Sequence, residues 1–353
     1  MRINILFSVL AFTAIYWAPS GATDKGFYPN LDDEKQYSEY WEQQYLFDSG
    51  ALLTSQFLIA NLPISEHHGM VVATLKLPER ETIVVKNGRN RDGWSYNSVT
   101  KGLGIFQHEI WPENDAYLMR LKNTAAEVDA AISIVPDTAV VMPEGNAYGL
   151  PNITLYAAPA IAFGRWRAGP EIGGEGDEGD WTPLGIGVGY GLHVRQSKAP
   201  NAVIKRWQKF IPTENSSATV PILNFFEFWD GRTVAVLLLH RQKNGWWRQV
   251  VECSTAAEIA DASVACSNDE TFIDGTFGKA TQVEEFNLQD ELNVFERMAA
   301  GSLADISRAR AKVPYRLRIE IDQDVLDLQG EALLEDNKFT AYDEAQRKAR
   351  RRR

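Results

Sequence analysis

Short apolar runs with a period of two, cut by Asn-Gly and Asp-Gly steps, constrain this chain more than any other feature. Segments 52–59, 70–77, 81–86, 117–121, 130–135, 222–228, 233–240 and 246–252 alternate in the manner of half-buried strands. Between several of them stand Asn87-Gly88, Asp92-Gly93, Asp230-Gly231 and Asn244-Gly245, which accept the left-handed backbone of a tight hairpin. Neighbouring runs are therefore expected to pair antiparallel, giving an all-β barrel or sandwich. Helical pattern is scarce, limited to 288–300 and 340–350.

The stretch from Gly187 to Trp207 carries the strongest functional signal. Gly187, Gly189 and Gly191 alternate with Val188, Tyr190 and Leu192, so one face of this strand is bare backbone that another strand or a ligand can approach closely. His193 and Arg195 continue the glycine face. Just before it, 169–180 is rich in glycine and acid and reads as a loop or linker. That segment divides the chain into an N-terminal β-domain, 23–168, and a C-terminal β-domain, 181–340, opening on the glycine strand and followed by a basic tail, 341–353.

Residues 1–22 read as a secretory signal: Arg2, a mostly apolar 3–17, and Ser20-Gly21-Ala22 as a small-residue cleavage site. An uncleaved anchor is the rival, against which stand the shortness of the run and Pro19. The formal charge is −11, and basic residues cluster only at 347–353, which excludes a nucleic-acid face. The tail is either a solvated end or a peripheral membrane contact. The two cysteines, Cys253 and Cys266, pair as one disulfide in an exported chain or remain separate buried thiols. Export would place the chain in the periplasm of a Gram-negative cell, and otherwise in the secretory pathway or outside. The glycan acceptor patterns at Asn152 and Asn215 carry no information.

Tyr40-Trp41-Glu42-Gln43-Gln44-Tyr45, through Gln56-Phe57, resembles the opening of the AttH and hydroxyneurosporene synthase (carotenoid 1,2-hydratase)-like superfamily. Gly189 to His193, Gln196 to Asn201, Arg206-Trp207 and Phe225 to Phe228 resemble the second motif of that superfamily, nearest to its survival factor-like branch. The resemblance covers nearly all of 23–340 and implies two lipocalin-like antiparallel β-barrels packed together, with few short helices. Its members include carotenoid hydratases, cyclising enzymes and non-catalytic lipid carriers. Hydratase-type members carry an Asp-His-Asn-like cluster where this chain has Leu192-His193-Val194. The strong, positioned acid that alkene hydration requires is therefore missing at this place.

Tyr190, His193, Arg195, Gln196, Lys198 and Trp207 are the expected ligand-binding residues. His193 can act as general acid or base or hydrogen-bond a ligand carbonyl or hydroxyl, histidine being the side-chain type that titrates near neutrality, while Arg195, Lys198 and Arg206 suit a planar anionic head group or pair with Glu214, Glu227 or the acidic loop. His193 and Glu227 are the catalytic candidates. Glu227 is either buried between Phe225 and Trp229 and able to donate a proton, or exposed on an aromatic strand. The ten Trp, twelve Tyr and sixteen Phe either line an apolar cavity or fill two barrel cores. His67, His68, His108 and His240 lack metal-site spacing, so no metal is expected. Gly102-Leu103-Gly104 lacks the third glycine of a dinucleotide site, and no nucleophile elbow occurs, so no cofactor is expected.

These features predict an exported carrier for an apolar or amphipathic small molecule, lipid- or isoprenoid-like, with the glycine strand as a ligand-facing wall. The alternative is a lyase- or isomerase-type enzyme of the same fold that cyclises, isomerises or hydrates a polyene or terpenoid. A third class is an envelope interaction protein with filled barrels.

Overall fold

The computed structural model describes residues 27–62, 65–87, 93–114, 116–133, 150–169, 180–215, 219–241, 245–255, 262–287, 306–322 and 324–341. The signal at 1–22, the segment 170–179, the helix expected at 288–300, all but Thr340 and Ala341 of the helix expected at 340–350, and nearly all of the basic tail lie outside the described residues.

Eleven strands form one antiparallel sheet. They are β1 (Ser38–Phe47), β2 (Leu52–Leu62), β3 (Ser65–Lys76), β4 (Ile83–Asn87), β5 (Trp94–Asn97), β6 (Gly102–Ile105), β7 (His108–Glu113), β8 (Ala116–Lys122), β9 (Ala126–Ser133), β10 (Asn152–Ala168) and β11 (Thr182–Gln196). Their order is β4-β3-β2-β1-β11-β10-β9-β8-β7-β6-β5, and the sheet curls into an open half-barrel. Register shifts in β10 at Leu155/Ala157, Ala157/Ala160 and Gly164/Arg165 are the bulges that bend a strand and sharpen its twist.

Nine strands form the second sheet: β12 (Ile204–Asn215), β13 (Thr219–Phe228), β14 (Thr233–Arg241), β15 (Gly245–Thr255), β16 (Ala262–Ser267), β17 (Thr271–Phe277), β18 (Thr281–Asn287), β19 (Ile306–Ile321) and β20 (Asp324–Phe339). Pairing of β17 with β19 closes eight of them into a barrel and leaves β18 outside on β19. The two lipocalin-like barrels, one closed and one open, pack together as the sequence resemblance implies.

Local chemistry explains these elements. At the β13–β14 hairpin Gly231 takes φ +88°, the Phe228 N–H donates to Arg232 O at 2.9 Å, and the Asp230 carboxylate accepts the Arg232 N–H at 3.0 Å. Inward residues of the closed barrel make a continuous core, with Phe210 lying 5.3 Å from Phe277 and 4.9 Å from Tyr315 between ring centroids. Cys253 on β15 stands directly opposite Cys266 on β16 and is disulfide-bonded to it. This bond is compatible with export, and no helix among the described residues is long and apolar enough to cross a membrane.

One boundary needs correction. The glycine strand does not open the second barrel: β11 lies between β1 and β10 in the first sheet. The chain passes to the second sheet only after Gln196, through the 3-10 turn Pro200–Ala202, before β12 starts at Ile204. Ten successive pairs from Ser38↔Gln196 to Phe47↔Gly187 hold β11 to β1.

Candidate functional site

Strand β1 is buried along nearly all its length, with a different neighbour on each face. Trp41, Tyr45 and Phe47 enter the core of the first barrel, whereas Tyr40, Glu42, Gln44 and Leu46 turn toward the second sheet. On the facing side, β12 sends Phe210 into its own barrel and presents Trp207, Lys209 and Ile211 outward. Strand β20 likewise presents Leu333, Glu335 and Asn337.

Charges meet where these faces touch. Lys209 reaches across to Glu42 and bonds Glu335 Oε1 at 2.9 Å. Arg310 donates Nε–H to Glu335 at 2.8 Å and also pairs with Glu284, all three side chains being buried. Tyr190 donates its hydroxyl to Glu42. With its amide turned to match its neighbours, Gln44 donates to Glu335 Oε2 at 3.0 Å and to the Tyr190 oxygen at 2.7 Å, and accepts from Arg310 Nε at 3.2 Å. Burial alone would favour protonation of Glu335, but the charges of Lys209, Arg308 and Arg310 and a hydrogen bond from Asn337 outweigh it and hold its pKa well below the carboxylate range. Burial pushes Tyr190 well above the ordinary phenol value, and Glu335 and Glu42 push it further.

Beside this network a cleft of about 100 Å³ opens between the sheets. Tyr40, Leu58, Val72, Phe286, Ile306 and Phe339 give it apolar walls from both barrels, and Gln56, Lys209, Arg308 and Asn337 supply polar groups. Trp207 and Gln196, both expected from sequence, also line it. The Lys209 ammonium lies 4.6 Å from the Trp207 ring centroid, and the indole N–H donates to Asn224 at 3.0 Å.

The other expected residues are elsewhere. Tyr190 belongs to the charge network. Arg195 and Lys198 border an adjoining polar hollow of about 250 Å³ with Asn152 and Ser197, which shares Gln196 and Pro200 with the cleft. Glu227 pairs with Lys205, and Arg206 pairs with Asp336 at 2.6 Å. Buried His108 accepts the Lys122 N–H at 3.1 Å, and burial pushes its pKa down to about 4. Among the described residues no cluster of His, Cys, Asp or Glu is placed to hold a metal.

His193 has the partner that sequence could not reveal. Its Nε2 lies 2.6 Å from Oε1 of fully buried Glu39, and its ring stacks on Trp41 at 4.8 Å and 1°. Glu39 also accepts from the Asn30 backbone N–H at 2.7 Å, the Asn30 amide at 2.9 Å and the Tyr37 hydroxyl. Burial opposes the charge on Glu39, but these donors and His193 together lower its pKa. An unfolded chain therefore takes up this proton first as pH falls. The bonds stabilise the fold above the ordinary glutamate value of about 4.3, and that contribution disappears as pH drops through the lower folded value. Urea midpoints measured from neutral to acid pH should show wild type ahead of Glu39→Gln at neutral pH, with the gap closing below about pH 4. A gap independent of pH would refute an ionised Glu39.

The glycine face of β11 is covered by side chains of the same barrel. A β-carbon at Gly187 would meet the Phe47 ring at 2.9 Å, and one at Gly191 would meet the Tyr156 ring at 2.4 Å. Of the two visitors that a bare strand admits, it is neighbouring strands and their rings that occupy this one. The cleft lies on the opposite side of the sheet.

Fold and cleft together define a two-barrel, lipocalin-like protein. Among solved structures the chain is similar to an AttH-type protein from Nitrosomonas europaea, with TM-score 0.54 and 11% identity over 88% of this chain and 94% of that one. Similarity also extends to kievitone hydratase from Nectria haematococca, at TM-score 0.49 and 9% identity over 89% and 92% of the two chains. CghA with Sch210972 is similar at TM-score 0.47 and 6% identity over 87% and 89%. The AttH-type likeness establishes a shared fold. No protein-family model and no curated protein matches the chain.

Proposed function

We propose that this chain is an exported binding protein for an apolar or amphipathic small molecule, lipid- or isoprenoid-like, held in the cleft between the sheets. The observation that carries this reading is the lining of the cleft, apolar from both barrels and cationic at Lys209 and Arg308. Both barrel interiors are occupied by their own buried side chains, which favours the seam over the barrels as the place for a guest. Few polar groups in an apolar concavity is the usual composition of a ligand site.

The test is native mass spectrometry of the purified chain, with titration of a neutral amphipath such as 1-decanol. Val72→Phe, which adds a ring to the cleft wall, should weaken binding about tenfold or more, a loss of roughly 1.4 kcal/mol. Unaltered affinity would place the ligand elsewhere.

One contact favours a second reading, an enzyme of this fold acting on a polyene or terpenoid. His193 is half-buried and bonded to a buried carboxylate, the pairing that orients a general acid or base. In that reading incubation converts the ligand, and recovery of unchanged material from incubations with candidate polyenes sinks it. A surface for another protein is favoured by Ile161, Phe163 and Ile186, which stand exposed on the adjacent strands β10 and β11.

A further inference from the structure

We infer that the polar end of the ligand is a single carboxylate seated on Arg308, an inference that rests on the cleft being the ligand site. Three cations lie at this seam, and they are unequally compensated. Arg310 is held by Glu284 and, at 2.8 Å, by Glu335. Lys209 is held by Glu42 and, at 2.9 Å, by Glu335. Arg308 reaches its nearest carboxylate oxygen, on the same Glu335, only at 3.8 Å. One glutamate thus serves all three, and Arg308 receives the least of it.

Donor count points the same way. Arg308 uses Nε to donate to Asn337 Oδ1 at 2.7 Å, and neither Nη meets a partner among the described residues. Of the other polar side chains on the cleft, Gln56 donates to Glu42, Asn337 donates to Trp207 O at 3.2 Å and to Glu335 at 2.9 Å, and Gln196 donates to Ser38 at 2.7 Å, leaving only its Oε1, an acceptor, without a partner among the described residues. A guanidinium with its outer fork unoccupied, 15% exposed at the edge of an apolar cleft, matches the two parallel acceptors of a carboxylate.

Size and charge limit the guest further. A space of about 100 Å³ takes the head group and a few carbons, so the remaining chain runs out between the barrels. A second negative group would face Glu42 and Glu335 with no cation left to meet it. The chemistry is therefore that of an amphipathic monoacid.

Binding of decanoate and 1-decanol to the full chain, measured by calorimetry near neutral pH, tests this. Wild type should bind the acid about tenfold more tightly than the alcohol, the worth of one charged hydrogen-bonded contact. Arg308→Gln should abolish that preference by weakening the acid while leaving the alcohol within about twofold, with an unchanged circular dichroism spectrum. Arg308→Lys, which keeps charge without a fork, should restore only part of it. Equal affinity of wild type for acid and alcohol overturns the inference while leaving the cleft as ligand site, and needs no variant to be folded. A preference unchanged in Arg308→Gln also overturns it. Failure of both compounds to bind overturns the cleft reading as well.

Discussion

Replacing Arg310 with Met should lower the stability of the folded chain by about 3–5 kcal/mol, the usual consequence of removing one member of a buried ion group. Arg310 and Glu284 are each 1% exposed, and Glu284 Oε1 has no hydrogen-bond partner among the described residues. Without the guanidinium, Glu284 is a buried carboxylate with no compensating cation among the described residues. Glu335 fares better because Lys209 remains at 2.9 Å. The damage should therefore concentrate on Glu284, and Glu284→Gln in the Arg310→Met background should recover a large part of the loss. Urea midpoints followed by tryptophan fluorescence and circular dichroism give the comparison. A single variant within about 1 kcal/mol of wild type, or a double variant worse than the single one, would contradict the network as drawn.

The same network fixes how the barrels meet. Apolar residues from both sheets, such as Leu192, Val194, Trp207, Phe226 and Phe228, form one buried cluster, and hydrophobic burial has little directional preference. Lys209 to Glu42, and Gln44 to Glu335, do have direction, and both cross from one sheet to the other. Charged groups in such a seam select one alignment by leaving buried charge unpaired in every other. Arg308 lies at the open side of the same cluster.

What could be read from sequence follows from how local each signal is. The hairpin at Asp230-Gly231 and the opposed cysteines were legible because turn chemistry and pairing act over few residues. Placement of β11 was not, since its partner β1 lies far upstream and nothing in Gly187 to Leu192 encodes that choice. The contact between His193 and Glu39 spans 154 positions. Arg308 and Arg310 alternate with Ala309 and Ala311 and look like the solvent face of a strand, while Glu335 and Asn337 stand in the polar run Glu335-Asp336-Asn337-Lys338 and look like a solvated strand end. Only the first sheet, lying over that face, turns them into buried groups. A sequence signal did exist in β1, where Glu42, Gln43 and Gln44 interrupt an otherwise aromatic strand. Polar residues in such a place imply partners, but they do not say which.

Gly189→Ala should destabilise the chain by about 3 kcal/mol, at the upper end of what overpacking costs. A β-carbon there would lie 1.7 Å from the Gln44 backbone oxygen, and a carbonyl inside a ten-pair ladder has no side-chain torsion by which to escape. Strands β1 and β11 would have to separate locally. That movement would also carry Gln44 away from Glu335 and Tyr190, so the cleft should lose affinity along with the fold. Gly191→Ala provides a graded comparison, because its β-carbon meets the Tyr156 ring at 2.4 Å and a ring can tilt. Gly231→Ala separates steric from conformational cost: nothing lies within 4 Å of that position, but φ is +88°, so about 1 kcal/mol of left-handed strain is expected. Thermal midpoints should fall most for Gly189→Ala, whose near-ultraviolet signal from the surrounding tyrosines should also change. If the three variants lose the same stability, close approach of β1 to β11 is not what the glycine provides. The predicted order instead assigns the glycine spacing to strand contact, with the cleft on the other face of the sheet.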